Sequence, residues 1–185
     1  MEMIRTFLAV NFSDKNKKTI IEYKNKLEKI NVNVKWVEDD NIHLTLKFWG
    51  EINFDKIETV KSILPEIFQN FSIQYSIKGS GVFPNYKNPR IIWLGINDIN
   101  KNLLFYFNKL EELSQKLNLK LENRPFKPHL TLGRIKSNIN INTLFTFLKN
   151  NPFKEIIENT NKITLYKSEL TKKGPIYTPL LEITS

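Results

Sequence analysis

His43-Leu44-Thr45-Leu46-Lys47-Phe48-Trp49-Gly50 is answered eighty-six residues later by His129-Leu130-Thr131-Leu132-Gly133-Arg134. The chain contains only two histidines, and each is followed by Leu-Thr-Leu. At ordinary residue frequencies the second copy arises by chance on the order of one time in a thousand. In an extended strand side chains alternate between faces, so His43 and Thr45 share one face and Leu44 and Leu46 the other; His129 and Thr131 are set against Leu130 and Leu132 in the same way. Each copy therefore offers an imidazole beside a hydroxyl and turns leucines toward a core. Two such strands side by side about a local twofold axis would line one groove with both histidines and both threonines.

Working outward, the order of elements repeats around each copy. Before the first lie an apolar strand, Ile4 to Phe12, and a helix opened by Ser13 with Ile20, Tyr23, Leu27 and Ile30 on one face. After it, Asn53 is placed to cap a helix carrying Ile57, Val60, Leu64 and Ile67, with Pro65 marking a kink or an early end. Strands over 72–82 and 90–96 follow, parted by FPNYKNP, and GSG at 79–81 reads as a turn or bulge. The second half has a helix with Leu103, Phe107, Leu110, Leu113 and Leu117 on one face, the break RPFKP and the second HLTL strand. A helix capped by Asn142, with Leu144 and Leu148 on one face, and strands over 162–170 and 176–183 joined through KKGP complete it. No Gly/Ser linker divides the halves. The expected architecture is α+β, one bilobal domain spanning 1–185, with two pseudo-symmetric lobes of antiparallel sheet, outer helices and a central groove.

Composition narrows the chemistry. With 185 residues, 41% hydrophobic, the chain can bury a core; the absence of cysteine removes disulfides, thiolate nucleophiles and zinc ribbons and fits a reducing, cytoplasmic setting. MEMIRTFLAVNF has neither the basic start nor the long apolar run of a secretory signal, and no membrane span is expected. Twenty-eight basic against nineteen acidic residues leave a net charge of +9, which favours polyanionic partners but also serves plain solubility. The lysine-rich stretches at 15–18 and 172–173 read as solvated faces.

Imidazole titrates near neutrality, so one neutral and one protonated histidine can coexist and act as base and acid on a phosphodiester. Threonine hydroxyls between them suit the non-bridging oxygens, whose charge must be stabilised as phosphorus becomes five-coordinate. Such a site requires no metal or organic cofactor, and two histidines without cysteine or a carboxylate cluster supply too few ligands for a zinc centre. Because the motifs are identical, the residues alone leave open which histidine is acid and which is base.

The paired HLTL segments resemble the His-x-Thr-x motifs of the two-histidine phosphoesterase superfamily. RTFLAVNF, HLTLKFWGE, GSGVFPN, PRIIWLGI and RPFKPHLTLGR resemble, in order, its RNA 2',3'-cyclic phosphodiesterase (LigT-like, or ThpR) branch. The resemblance implies a bilobal antiparallel fold with a central groove and hydrolysis of 2',3'-cyclic phosphate ends of RNA, or of cyclic nucleotides, to 2'-phosphomonoesters; a monomer is expected. It also implies His43 as proton donor to the departing 3'-oxygen, His129 as the acceptor that activates water, and substrate contacts from Thr45, Thr131 and Arg134. Alternation places Arg134 on the leucine side, so it reaches the groove only if a bulge or the strand end at Gly133 re-aims it. Lys47 and Trp49 depart from the small or aliphatic residues usual there, and their parity with His43 puts them near substrate or on a solvated edge. Phe48, Trp49, Phe83, Tyr86, Trp93 and Phe126 are candidates for base stacking, although Phe48 and Trp93 are expected in the core. The competing functions are an RNA ligase joining 2',3'-cyclic and 5'-hydroxyl ends, which runs the same groups in reverse, and a non-catalytic RNA-binding module.

Overall fold

The computed structural model describes residues 2–172 and 174–185, so Lys173, half of the second lysine pair, lies outside the described residues. The elements run β1 (Met3–Val10), α1 (Asp14–Glu28), β2 (Val34–Trp36), β3 (Leu44–Asn53), α2 (Phe54–Ile67), β4 (Ile73–Phe83), β5 (Ile91–Asn97), α3 (Asn102–Lys116), β6 (His129–Ile135), α4 (Ile141–Asn150), β7 (Ile156–Thr160), β8 (Lys162–Leu170) and β9 (Pro175–Thr184). The α+β class and the two antiparallel lobes agree with the expectation. One sheet has strand order β3-β1-β8-β9, and the other β2-β6-β5-β4-β7.

This order shows how the halves are joined. In the first half β1 pairs with β3, and in the second β5 pairs with β6 in the corresponding way. Each half then sends a late strand across: β4 pairs with β5, and β8 with β1. Both sheets thus contain strands from both halves of the sequence. The HLTL strands are not hydrogen-bonded neighbours, in contrast to the simplest twofold expectation. β3 is the edge of one sheet, β6 lies inside the edge strand β2 of the other, and the two strands touch where the sheets face each other.

The helical faces read from the sequence are the buried ones. Ile20, Tyr23 and Leu27 of α1 are buried, and the Tyr23 hydroxyl bonds Ser80 on β4 and donates to the Asn151 carbonyl, both at 2.8 Å. In α2, Ile57, Val60 and Leu64 are buried, Asn53 accepts the Lys56 backbone N–H at 3.0 Å, and the helix passes through Pro65 before ending two residues later. The α3 stripe packs on β3, where the fully buried Trp49 donates from Nε1 to Ser114 at 2.8 Å.

Of the other two caps read from the sequence, Ser13 stands at the N-cap of α1 as expected and Asn142 does not cap α4. Ser13 precedes α1, but its own side chain does not close the helix; the buried Glu158 of β7 accepts the Ser13 N–H (3.0 Å) and hydroxyl (2.9 Å) and the Asn16 amide (3.0 Å). A carboxylate at a helix N-terminus is favoured by the exposed N–H groups and the positive end of the dipole. Asn142 lies inside α4, and Asn140, at φ 55°, precedes it. The sequence reading omitted β2, at three residues too short for a periodic signal, and β7, whose five residues adjoin β8 without a glycine or proline between them. Among the described residues no helix is long and apolar enough to cross a membrane.

Candidate active site

His43 stands immediately before β3, and its Nδ1 lies 2.7 Å from the carbonyl oxygen of Asn41. His129 begins β6, and its Nδ1 lies 2.8 Å from the carbonyl oxygen of Lys127. A carbonyl only accepts, so in each imidazole Nδ1 carries the hydrogen and Nε2 is left to exchange protons with substrate. The same carbonyl, two residues upstream, fixes the tautomer in both copies. Asn41 is itself held, its side-chain amide donating to the Pro175 carbonyl at 2.8 Å. Each ring also rests on an aromatic neighbour: His43 on Phe7 (centroids 4.8 Å apart) and Tyr177 (5.3 Å), His129 on Phe83 (5.0 Å).

The hydroxyls stand as alternation requires. Thr45 is exposed, with Oγ1 3.1 Å from His43 Nε2, and Thr131 is half-buried, while Leu44, Leu46, Leu130 and Leu132 are all buried. Beyond them regular alternation fails. Leu8 pairs with Lys47 but Ala9 with Thr45, leaving Leu46 as an extra residue; Thr6 pairs with Gly50 but Phe7 with Phe48, leaving Trp49 extra. Each bulge inverts the faces that follow it. Lys47 and Trp49 are therefore neither beside the substrate groove nor on a solvated edge. Lys47 is buried against α3, where it pairs with Glu111 and donates to the Lys120 carbonyl at 2.9 Å. Phe48, expected in the core, is 36% exposed and lies under the Arg5 guanidinium, 4.5 Å from the ring centroid.

The same device re-aims Arg134. Ile92 pairs with Gly133 and Trp93 with Thr131, so Leu132 is the extra residue and Arg134 emerges exposed. Gly133 is required there because a Cβ would meet Val34 Cγ1 at 2.7 Å and the Trp36 ring at 2.9 Å. Tyr177 of β9 packs on His43 and feels the charge of Arg134. Its ring meets the edge of His43, burial pushes its phenol up, and the Arg134 and Arg5 guanidiniums pull the other way. His43 and Thr45 thus stand with β3 of one sheet and His129, Thr131 and Arg134 with β6 of the other, two strands that are in contact. Burial also pushes His43 below the ordinary histidine value, partly offset by the Asn41 carbonyl.

Several neighbours carry no sequence signal of their own. Phe7 falls within an apolar strand, and Tyr166 and Tyr177 lie in the late strands. The Tyr166 hydroxyl donates to Asn11 Oδ1 at 3.1 Å, and the Asn11 amide donates to Thr164 at 2.8 Å. Of the stacking candidates, Trp93 is half-buried, lies across Gly81 and Gly95 and stacks on Phe83; Phe126 stacks on Phe107. Both rings are engaged in packing. Tyr86 is exposed, with its ring against Phe145.

The family model described as LigT like Phosphoesterase matches the chain twice, over residues 10–93 and 94–177, the two halves that exchange strands. A protein of Methanothermobacter thermautotrophicus named RNA 2',3'-cyclic phosphodiesterase is 30% identical over 96% of both chains. An Aquifex aeolicus protein of the same name is 33% identical over 98% of this chain and 97% of its own. The apo form of E. coli LigT superposes with a TM-score of 0.77 at 25% identity, covering all of this chain and 98% of that one. Two matched halves, full-length relatives and a common fold agree with the duplicated motif: the chain belongs to the LigT-like phosphoesterase family.

Proposed function

We propose that this protein is a phosphodiesterase that hydrolyses 2',3'-cyclic phosphate ends of RNA, or cyclic nucleotides, to 2'-phosphomonoesters. The observation that carries this reading is the matched anchoring of the two imidazoles, each with Nδ1–H on the carbonyl two residues upstream. His129, neutral at Nε2, accepts a proton from water as the water attacks phosphorus. His43, protonated at Nε2, donates to the departing 3'-oxygen. Thr45, Thr131 and Arg134 hold the non-bridging oxygens, the guanidinium supplying paired donors as charge accumulates. The water oxygen bonds to phosphorus as the bond from phosphorus to the 3'-oxygen breaks, one proton passes from water to His129 and another from His43 to the 3'-oxygen, and no redox step enters.

The depressed basicity of His43 bears on its role as donor. In the free protein it favours the neutral form, and the negative charge of a bound phosphodiester draws the proton onto it. We read residues 1–185 as one functional domain because the proposed machinery is divided between the two sequence halves, and as a monomer acting in the cytoplasm, the compartment being the one that a chain without cysteine suits.

The test is incubation in excess EDTA with an oligoribonucleotide ending in a 2',3'-cyclic phosphate. The wild type is expected to yield a 2'-phosphate end, and His43→Ala and His129→Ala to lower turnover by about 100-fold or more each while still folding. Full activity in either variant would sink the two-histidine mechanism, and a 3'-phosphate product would reverse the assigned proton donor.

A further inference from the structure

Arg5 is a cation that the proposed chemistry does not use. It lies on β1 two residues before Phe7, on the same face of the strand, and Phe7 packs against His43. Its guanidinium stacks over Phe48, 4.5 Å from the ring centroid, and acts on Tyr177 from the opposite side of the sequence to Arg134. Among the described residues Arg5 makes no ion pair, although Glu51 is its partner across the β1–β3 ladder. Stacking fixes the guanidinium plane and leaves its edge N–H groups free to donate. The register shift at Leu46 is what brings Phe48 to this face; regular alternation would have buried it and left Arg5 unsupported.

Arg5 lines a surface depression of about 250 Å³ whose other charged residues are Glu2, Glu51, Lys167 and Glu169. An RNA that ends in a 2',3'-cyclic phosphate at the histidines must leave the groove through its 5' side. Its first obligatory feature there is the phosphodiester that joins the last nucleoside to the one before it. A mononucleotide cyclic phosphate has no such group.

We propose that Arg5, held by Phe48, binds this internucleotide phosphate and makes the protein prefer RNA ends over cyclic mononucleotides. Glu2, Glu51 and Glu169 share the depression with it, and the other cation there, Lys167, is paired with Glu169 at 3.3 Å, so the cationic contact is made with one phosphate rather than a run of them. The inference rests on the hydrolase reading above and adds a second anion site to it. Binding energy gained at this remote phosphate is available to the reacting centre, so the preference belongs in kcat/KM.

The experiment compares kcat/KM for a dinucleotide ending in a 2',3'-cyclic phosphate with that for the corresponding cyclic mononucleotide, in wild type, Arg5→Gln, Arg5→Lys and Phe48→Ala. In the wild type the dinucleotide is expected to be favoured by about tenfold or more, as suits a charge-assisted hydrogen bond. Arg5→Gln is expected to remove most of that ratio and Phe48→Ala part of it, with Arg5→Lys retaining some through its charge. A ratio unchanged by Arg5→Gln, with both substrates still turned over, overturns the second site and leaves the hydrolase reading intact. Wild-type turnover of neither substrate overturns the hydrolase reading, and the inference falls with it.

Discussion

At the scale of single residues, the two histidines are equivalent in sequence and unequal in surroundings. Both give Nδ1–H to a carbonyl, but burial beside Phe7 and Tyr177 depresses His43 below the ordinary value of about 6.5. If His43 is the donor, it must carry a proton to act. The kcat/KM of the free protein is then lost as pH rises through this lowered pKa. Once the anionic phosphodiester is bound, its charge stabilises the imidazolium and raises that pKa, so the basic limb of kcat lies at higher pH than the basic limb of kcat/KM. Parallel pH profiles of kcat and kcat/KM check this; coincident basic limbs would show that His43 gains no proton with substrate. The identity of both histidines and their threonines was legible from the duplicated motif alone. Their inequality was not, because it is set by Phe7 and Tyr177, which reach His43 from strands far away in sequence.

Among the elements, alternation served the first four residues of each motif and then misplaced what followed. Lys47, Phe48 and Trp49 changed faces because β3 carries an extra residue at Leu46 relative to β1, and an extra residue is a property of the pair of strands rather than of either sequence. Arg134 shows the same effect with a functional result, since the extra residue at Leu132 turns it outward. Gly133 permits this by leaving room for Val34 and Trp36 of β2, a strand too short to be read from its own residues. Gly133→Ala should therefore displace β2, lower stability by about 1–3 kcal/mol through overpacking, and lower kcat more than it raises KM as Arg134 loses its aim on the charge that accumulates at phosphorus. Denaturant titration and steady-state kinetics measure the two effects. A variant with unchanged stability and kcat would mean that β2 and Gly133 do not set the guanidinium.

For the molecule as a whole, the exchanged strands decide how it comes apart. The repetition of elements was visible in the sequence, whereas the crossing of β4 into the second half's sheet and of β8 into the first half's was not; antiparallel partners distant along the chain leave no local periodicity. Neither sheet can be lost without removing strands from both halves, so heat should unfold the protein in one cooperative transition. Glu158 offers a way to load that transition from a point outside the groove. Its carboxylate, on β7 in the second half, takes three donors at the start of α1 in the first half. Replacing it by alanine removes three hydrogen bonds, but Ser13 is exposed and its donors can turn to water, and the buried Asn16 amide keeps the Ile157 carbonyl at 2.9 Å, so about 1–2 kcal/mol should be lost. For a chain of this size that is roughly 2–8 °C in Tm. Circular dichroism in the far and near ultraviolet should report the same shifted midpoint for Glu158→Ala, because the lobe that loses the contact is woven into the other. Two separated transitions, with only one of them displaced, would show instead that the halves unfold independently in spite of the shared sheets.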